Sequence, residues 1–414
     1  MRRLKKAIII VSFLPFLFFF TNCSSGGFDV ASIEQPSTEN SSGATPNPSP
    51  SPSPTVSPSP SPSPSPSPSP TVSPSPSPSP SPTVPPVTSG KVSAMLAVGH
   101  QARTTLSCDG GRSWIYDRSD NATVRCYENN VDCDHTPVSA MGGVATFANG
   151  YFYTQYGWGY DGTIRRSADG YNWQTIRTGD WAGGLGSNGN RVFSLWNDWT
   201  YSNDNGATWV KSTKSFSEWD MNLPLMSQTA TKLFAVGRDD KSIQMAMSSD
   251  GGMSWATVPG FQTAWGASFA ESSSGILVSL GTTVGLVARS TDGGKNWTTH
   301  QAHSVANATW SSPLLYNGTQ FVAFAGGKKY TSTDGITWAP TTMVNAPGAG
   351  PAAYNPVTKT YSVIQNEWNN YYAKQKAWVS TDGTTWTVLS STQFKGGHPL
   401  IRIVIGEVDK SVCP

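Results

Sequence analysis

A short pattern that recurs through most of the chain restricts the possible folds more than any other feature. Each copy has Ser, one residue, Asp, a few turn-forming residues and then Trp. The seven copies place their acidic residues at Asp109, Asp169, Asp204, Asp250, Asp292, Asp334 and Asp382. Consecutive copies lie between 35 and 60 residues apart. Self-similarity at this spacing is the signature of a propeller or a solenoid, in which each repeat packs against its neighbours.

The residues between the copies divide into four short strands per repeat. In the sixth repeat Asn317-Gly318 separates two apolar runs, as in a two-residue β-hairpin. Seven repeats of four strands predict an all-β fold, a seven-bladed β-propeller. The first repeat lacks its first strand, and residues 398–405 supply an unassigned apolar strand at the other end of the chain. We therefore expect the C-terminal strand to close blade 1, with Ile401 opposite Leu96.

The repeated pattern resembles the Asp-box, or BNR, repeat of sialidase-like β-propellers, and the resemblance covers roughly residues 91–414. It implies that each Asp is structural, because a short carboxylate accepts hydrogen bonds from a tight turn while Trp packs over the hairpin. The Arg-Ile-Pro motif of sialidases is absent. The nearest string contains Arg402 and lies near the C-terminus, and sialidases of this kind usually have six blades. The resemblance therefore implies the fold more strongly than the activity.

The N-terminus has the composition of a bacterial export signal. Four basic residues open the chain: Arg2, Arg3, Lys5 and Lys6. They precede an apolar run that is too short to span a membrane and ends just before Cys23. The residues around Cys23 resemble a lipobox, which implies a signal peptide at residues 1–22, a lipid on Cys23 and, because Ser24 follows, the outer membrane. The alternative is an ordinary cleaved signal with an incidental cysteine.

Residues 23–90 are predicted to be a disordered linker. They show no apolar periodicity, and residues 46–86 are almost entirely Ser-Pro repeats. Such a segment favours polyproline II and can extend over about 120 Å. A long uncharged spacer behind a lipid anchor would hold a folded domain, expected at residues 91–414, away from a membrane.

Four cysteines remain after the predicted signal: Cys108, Cys126, Cys133 and Cys413. An even number in an exported protein indicates disulfides, and three pairings are possible. Cys126 and Cys133 bracket a short polar loop, and a local pair between them leaves Cys108 for Cys413. No histidine lies at a zinc-finger spacing, so no metal and no cofactor is expected.

The charge of the chain excludes one class of partner. Removal of the four basic residues of the signal changes the formal net charge from +2 to −2, and no basic stripe remains. Nucleic acid is therefore disfavoured. The expected partners are a membrane, reached through the lipid, and a glycan or protein ligand bound by a monomer.

Aromatic residues concentrate in the connections predicted on the face opposite the Ser-x-Asp turns. The predicted ligand-binding residues are Trp158, Trp181, Trp219, Trp265, Trp310 and Trp368. Indole faces beside polar groups suit sugar rings and protein side chains. Four of these tryptophans, at positions 181, 219, 265 and 310, begin predicted inner strands. The alternative is that these four side chains pack between blades.

Catalysis would need further groups on the same face, because glycoside hydrolysis uses two carboxylates at a defined separation. The weak catalytic candidates are Asp180, Glu218, Asp220, Glu271, Glu367 and Arg402. Each acid is more often a solvated loop residue than a catalyst. The preferred hypothesis is a lipid-anchored cell-envelope propeller that binds a ligand without catalysis. A glycoside hydrolase and an assembly factor for an envelope complex are the alternatives.

Overall fold

The computed structural model describes residues 90–99, 102–118, 144–156, 162–179, 184–195, 198–216, 222–238, 243–259, 261, 268–280, 285–302, 313–365, 375–389, 394 and 399–414. Within these ranges the chain forms β-strands, joined by turns, and a short 3₁₀ turn at Lys410–Val412. None of the helical segments in these ranges has the length and apolar character to cross a membrane.

The strands form seven antiparallel sheets, which are the blades. Blade 1 contains β1 (Lys91–Gly99), β2 (Thr104–Ser107) and β3 (Ile115–Arg118). Blade 2 contains β4 (Val144–Ala148), β5 (Tyr151–Tyr156), β6 (Gly162–Ser167) and β7 (Gln174–Gly179). Blade 3 contains β8 (Gly184–Ser187), β9 (Val192–Leu195), β10 (Trp199–Ser202) and β11 (Val210–Lys211).

The remaining blades follow the same order. Blade 4 contains β13 (Asn222–Gln228), β14 (Leu233–Arg238), β15 (Ile243–Ser248) and β16 (Ser254–Thr257), and the short β12 (Thr213–Lys214) adds to its outer edge in parallel. Blade 5 contains β17 (Ser268–Glu271), β18 (Leu277–Leu280), β19 (Leu286–Ser290) and β20 (Thr298–Gln301). Blade 6 contains β21 (Leu315–Tyr316), β22 (Phe321–Ala325), β23 (Lys328–Ser332) and β24 (Ala339–Thr342). Blade 7 contains β25 (Ala352–Asn355), β26 (Thr360–Gln365), β27 (Lys376–Ser380) and β28 (Thr387–Val388).

The last strand, β29 (Leu400–Asp409), closes the ring by pairing with β1 as the inner strand of blade 1. The inner strands of neighbouring blades contact one another around the whole circle, from β29 to β25 and back. The protein is therefore a seven-bladed β-propeller, as the repeats predict. The predicted register is wrong: Leu96 lies opposite Val404, and Ile401 falls at a register shift between the pairs of Val98 and Gly99.

The direction of the strands gives the propeller two distinct faces. We define the turn face as the one that carries the Ser-x-Asp turns together with the turns from the first to the second strand of each blade. The loop face carries the connections between blades and those from the second to the third strand. Because each inner strand runs from the loop face to the turn face, its last residue lies at the turn face.

The apolar core is divided into seven clusters, one between each pair of neighbouring blades. The Trp of every Ser-x-Asp repeat packs in the cluster between its own blade and the preceding one. Trp386, for example, is 1% exposed and packs with Phe324 of blade 6. These indoles hold adjacent blades together, in addition to covering their own hairpins, since burying an aromatic side chain removes a large apolar area from water.

Candidate functional site

The seven Ser-x-Asp turns share one hydrogen-bond geometry. In every turn the Ser Oγ donates to the Asp Oδ1 at 2.8–2.9 Å. The same Oδ1 accepts from backbone N–H groups of its own turn; at Asp109 these are the N–H groups of Arg112 and Ser113, both at 2.9 Å. Each carboxylate therefore stabilises its own turn, and Gly at positive φ completes the bend, as Gly110 and Gly111 do in blade 1.

These hydrogen bonds lower the pKa of six of the seven turn carboxylates and so favour their ionised form. Donation from Thr208 lowers the pKa of Asp204 to about 2, and the backbone N–H of Asn296 does the same for Asp292. At Asp334 burial alone would raise the pKa, but the N–H groups of the turn outweigh it and lower the value to about 2. The pKa values of Asp169, Asp250 and Asp382 are lowered as well, against an opposing effect of burial. A general acid for glycoside cleavage needs the opposite shift.

Cationic side chains tie several turns to the preceding blade. Arg289 Nε donates to the carbonyl of Asp334 at 2.7 Å, and Lys329 Nζ donates to that of Asp382 at 2.6 Å. Arg166 and Arg191 make equivalent bonds to the turns of blades 3 and 4. The sequence analysis missed these links, because only the neighbouring blade shows which carbonyl each cation reaches. These four cationic side chains of the turn face therefore have a structural role.

Glu271 does not lie where the sequence analysis placed it. It is the last residue of the inner strand β17, opposite Leu277 and level with Ser290 of the Ser-x-Asp turn, so it belongs to the turn face. Its carboxylate accepts from the hydroxyls of Thr229 and Thr231 of blade 4, at 2.6 and 2.7 Å. The prediction of Glu271 as a loop-face acid was wrong: this carboxylate joins blades 4 and 5.

Arg402 lies near the loop-face end of β29, on the inner strand of blade 1. Its side chain is half-buried, and burial lowers the pKa of the guanidinium. No acidic side chain among the described residues forms an ion pair with it. Desolvation of a cation is costly unless an anionic group lies beside it, so this position favours an anionic neighbour.

A buried ion pair closes the seam between blades 1 and 7 toward the loop face. The guanidinium of Arg103 is fully buried and donates twice to Asp117, at 2.8 and 2.9 Å. It also donates to Gln375 of blade 7 at 2.6 Å and lies over the ring of Phe394. A paired, hydrogen-bonded buried cation of this kind fixes geometry, and the sequence analysis did not identify it.

The turn-face end of blade 1 holds both ends of the propeller chain. Cys108 in the turn of blade 1 forms a disulfide with Cys413, 305 residues later, with the Cα atoms 5.9 Å apart. Lys91 Nζ pairs with Asp409 at 2.9 Å, and the N–H of Lys410 donates to the carbonyl of Gly90 at 2.9 Å. The propeller therefore begins and ends on its turn face.

Most of the predicted site lies outside the described residues. This applies to all six tryptophans: Trp158, Trp181, Trp219, Trp265, Trp310 and Trp368. It applies equally to Asp180, Glu218, Asp220 and Glu367, and to Cys23, Cys126 and Cys133. Their assignments remain predictions. Within the described part of the chain, no three His, Cys, Asp or Glu side chains are grouped as a metal site would require.

Comparison with known proteins agrees with the fold. A family model described as the DUF6242 β-propeller domain matches residues 269–347, which form blades 5 and 6. No curated protein matches the chain. A solved protein from Lactobacillus plantarum is 10% identical with a TM-score of 0.50, covering 77% of this chain and 99% of its own.

Two other similar structures have different biochemical descriptions. YCF48 bound to a D1 peptide is 15% identical, with a TM-score of 0.47, covering 65% of this chain and 85% of that one. An ancestral GH74 enzyme is 16% identical, with a TM-score of 0.40, and the match covers 53% of this chain but 32% of the enzyme. With TM-scores below 0.5, neither of these two structures supports an argument about this chain.

Proposed function

We propose that this protein is a lipid-anchored propeller of the bacterial cell envelope that binds a glycan or protein ligand on its loop face and catalyses no reaction there. The observation that carries the proposal is the position of Gly90, which is hydrogen-bonded to Lys410 beside the Cys108–Cys413 disulfide. A tether that leads to a lipid on Cys23 therefore leaves the propeller from the turn face. The opposite face stays accessible.

The chemistry of the turn face also supports this assignment. Its carboxylates at positions 109 to 382 accept hydrogen bonds from their own turns, and Glu271 joins two blades. Arg289 and Lys329 are engaged in the same way. Polar groups that already stabilise the fold are poorly placed to bind a partner as well. On the loop face Arg402 offers a cation to an anionic group, and the predicted tryptophans offer apolar surface.

The proposal is tested with the full-length protein in detergent on an array of bacterial and host glycans, together with Trp219→Ala and Trp265→Ala. Loss of a buried aromatic contact should weaken binding by roughly 1–3 kcal/mol, with little change in the melting temperature. Tyr171→Ala on the turn face is the matched control and should bind normally. If the indoles are interblade core instead, the tryptophan variants should lose about 3–5 kcal/mol of stability.

A protein ligand is tested by site-specific photo-crosslinking in intact cells. A crosslinker at position 219 should capture a partner, whereas one at position 171 should not. Equal capture at both positions would contradict binding on the loop face. Turnover of a fluorogenic glycoside that is abolished by Glu218→Gln or Glu367→Gln would replace the binding proposal with the hydrolase alternative.

A further inference from the structure

The turn face carries an exposed aromatic pair at the seam between blades 1 and 2. Tyr116 of β3 and Tyr171 of the Ser-x-Asp turn of blade 2 are 41% and 37% exposed, the highest values among the described aromatic side chains. Their ring centroids are 4.7 Å apart, with the planes tilted by 41°. At the position of Tyr171 the other described turns carry Gly, Thr or, in blade 6, the half-buried Ile336, so none of them presents an aromatic ring there.

The backbone at Tyr116 is strained. Its φ is +57°, in the left-handed region that tyrosine rarely adopts, at a register shift between β2 and β3. The hydroxyl donates to the carbonyl of Val412 at 3.0 Å, which ties the ring to the C-terminal turn. Strain of this kind persists only where surrounding contacts hold it, and here the next residue, Asp117, is held by Arg103 and the Tyr116 hydroxyl is held by Val412.

A cavity of about 240 Å³ lies on the same face beside Ile115, the residue before Tyr116. Its lining is mixed apolar and polar: Val92, Cys108, Asp109, Ser113, Ile115, Lys410, Cys413 and Pro414. Val92 is the second residue of β1 after Gly90, and Ile115 precedes Tyr116. The cavity therefore lies between the point where the chain joins the propeller and the tyrosine pair.

The chain segment just before Gly90 has a composition that is typical of ligands for aromatic surfaces. Residues 82–89 read Pro-Thr-Val-Pro-Pro-Val-Thr-Ser and carry no charge. Proline-rich segments bind aromatic surfaces because polyproline II loses little entropy on docking. The tether also holds the segment at an effective concentration on the order of millimolar, so that even a weak contact is occupied.

We propose that residues 82–89 dock on the turn face, with prolines against Tyr116 and Tyr171 and a valine side chain in the adjoining cavity. At ~3.1 Å per residue, the five residues before Gly90 reach about 15 Å. The carbonyl of Gly90 accepts from Lys410, two residues before the Val412 carbonyl that accepts from Tyr116. Docking fixes the direction in which the tether leaves the propeller and keeps it away from the loop face. This inference does not depend on the identity of any ligand.

Proteolysis of the full-length protein tests the proposal, with an elastase that cleaves after valine. The bond between Val87 and Thr88 lies in the docked segment, while the bonds after Val56 and Val72 lie in the distal repeat and serve as internal controls. In the double variant Tyr116→Ala/Tyr171→Ala the cut after Val87 should become about tenfold faster, because cleavage follows the undocked population. Cleavage after Val56 and Val72 should not change.

Two further variants keep the outcome decisive. Tyr171→Phe retains the ring and should retain protection, while Val84→Ser/Pro85→Ser alters only the segment and should lose protection without affecting the fold. If the melting temperature of the double alanine variant is more than a few degrees below that of the wild type, the proposal is judged from the segment variant, Val84→Ser/Pro85→Ser, instead. An unchanged rate after Val87 in the segment variant, or in a folded double variant, would overturn the proposal and leave the tyrosine pair for an external partner.

Discussion

The guanidinium of Arg289 in blade 5 donates a hydrogen bond to the backbone carbonyl of Asp334, 2.7 Å away in the turn of blade 6. Lys329 makes the corresponding bond from blade 6 to Asp382 of blade 7. The Trp of each turn packs into the same seam from the apolar side. A Ser-x-Asp turn thus stabilises its own hairpin and docks its blade on the preceding one.

Replacement of Arg289 by Ala should lower the free energy of unfolding by about 1–3 kcal/mol, because a charged hydrogen bond between blades is lost. Arg289→Lys should recover most of this loss, since a lysine already makes this contact between blades 6 and 7. Lys295→Ala, in an exposed part of the turn of blade 5, is the control and should be neutral. Urea unfolding midpoints measure all three, and equal effects of Arg289→Ala and Lys295→Ala would contradict the role of the interblade bond.

Acid should destabilise the propeller over a defined range. The pKa values of Asp204, Asp292 and Asp334 are about 2 in the folded protein and near 4 in an unfolded chain. A lowered folded-state pKa contributes stability that is present above the unfolded value and is lost as the pH falls through the folded one. Stability contributed by these groups should be constant above about pH 5 and should fall between about pH 4 and pH 2.

Thermal melting across this range measures the acid effect. Asp292→Asn should show a smaller dependence on pH than the wild type, because one lowered carboxyl has been removed. A melting temperature that does not fall between pH 4 and pH 2 would show that the turn carboxylates are not coupled to folding.

Glu271 should be required for stability and dispensable for any activity. Glu271→Gln should cost about 1–3 kcal/mol, because the hydroxyls of Thr229 and Thr231 lose a charged acceptor. A double-mutant cycle with Thr231→Val should reveal a coupling energy, as expected for residues in direct contact. Additive effects of the two substitutions, or loss of ligand binding at full stability, would argue against the structural assignment.

The Cys108–Cys413 disulfide should stabilise the closed ring strongly, because the bond closes a loop of 305 residues. The double variant Cys108→Ser/Cys413→Ser should be less stable by about 2–5 kcal/mol. A reducing agent should lower the melting temperature of the wild type by more than that of the variant, which keeps only the predicted Cys126–Cys133 pair. Deletion of residues 398–414 should prevent folding, since β1 would lose its partner strand.

Cys23 should carry lipid. Cys23→Ser should move the protein from the detergent phase to the aqueous phase in a phase-partition assay, because a covalently attached acyl chain supplies the membrane affinity. The folded domain should be unaffected. Unchanged partitioning of the variant would favour the alternative of an ordinary cleaved signal.

Local patterns were sufficient to predict the architecture. The Ser-x-Asp turns make their hydrogen bonds within five residues of the chain, so the number of blades and the order of their strands could be read from the spacing of Asp109 to Asp382. The incomplete first repeat likewise predicted that a C-terminal strand would close blade 1. Local hydrogen bonding and alternation of apolar residues carry this information without reference to the rest of the chain.

Only the tertiary structure determined the contacts between neighbouring blades. Leu96 lies opposite Val404 instead of Ile401, because the register of β29 depends on packing against blade 7 on one side, through Ile403, and blade 2 on the other, through Val408. The acceptors of Arg289 and the donors to Glu271 also lie on other blades. A repeat pattern predicts the repeating unit, whereas contacts between units depend on side chains that are distant in sequence and vary from blade to blade.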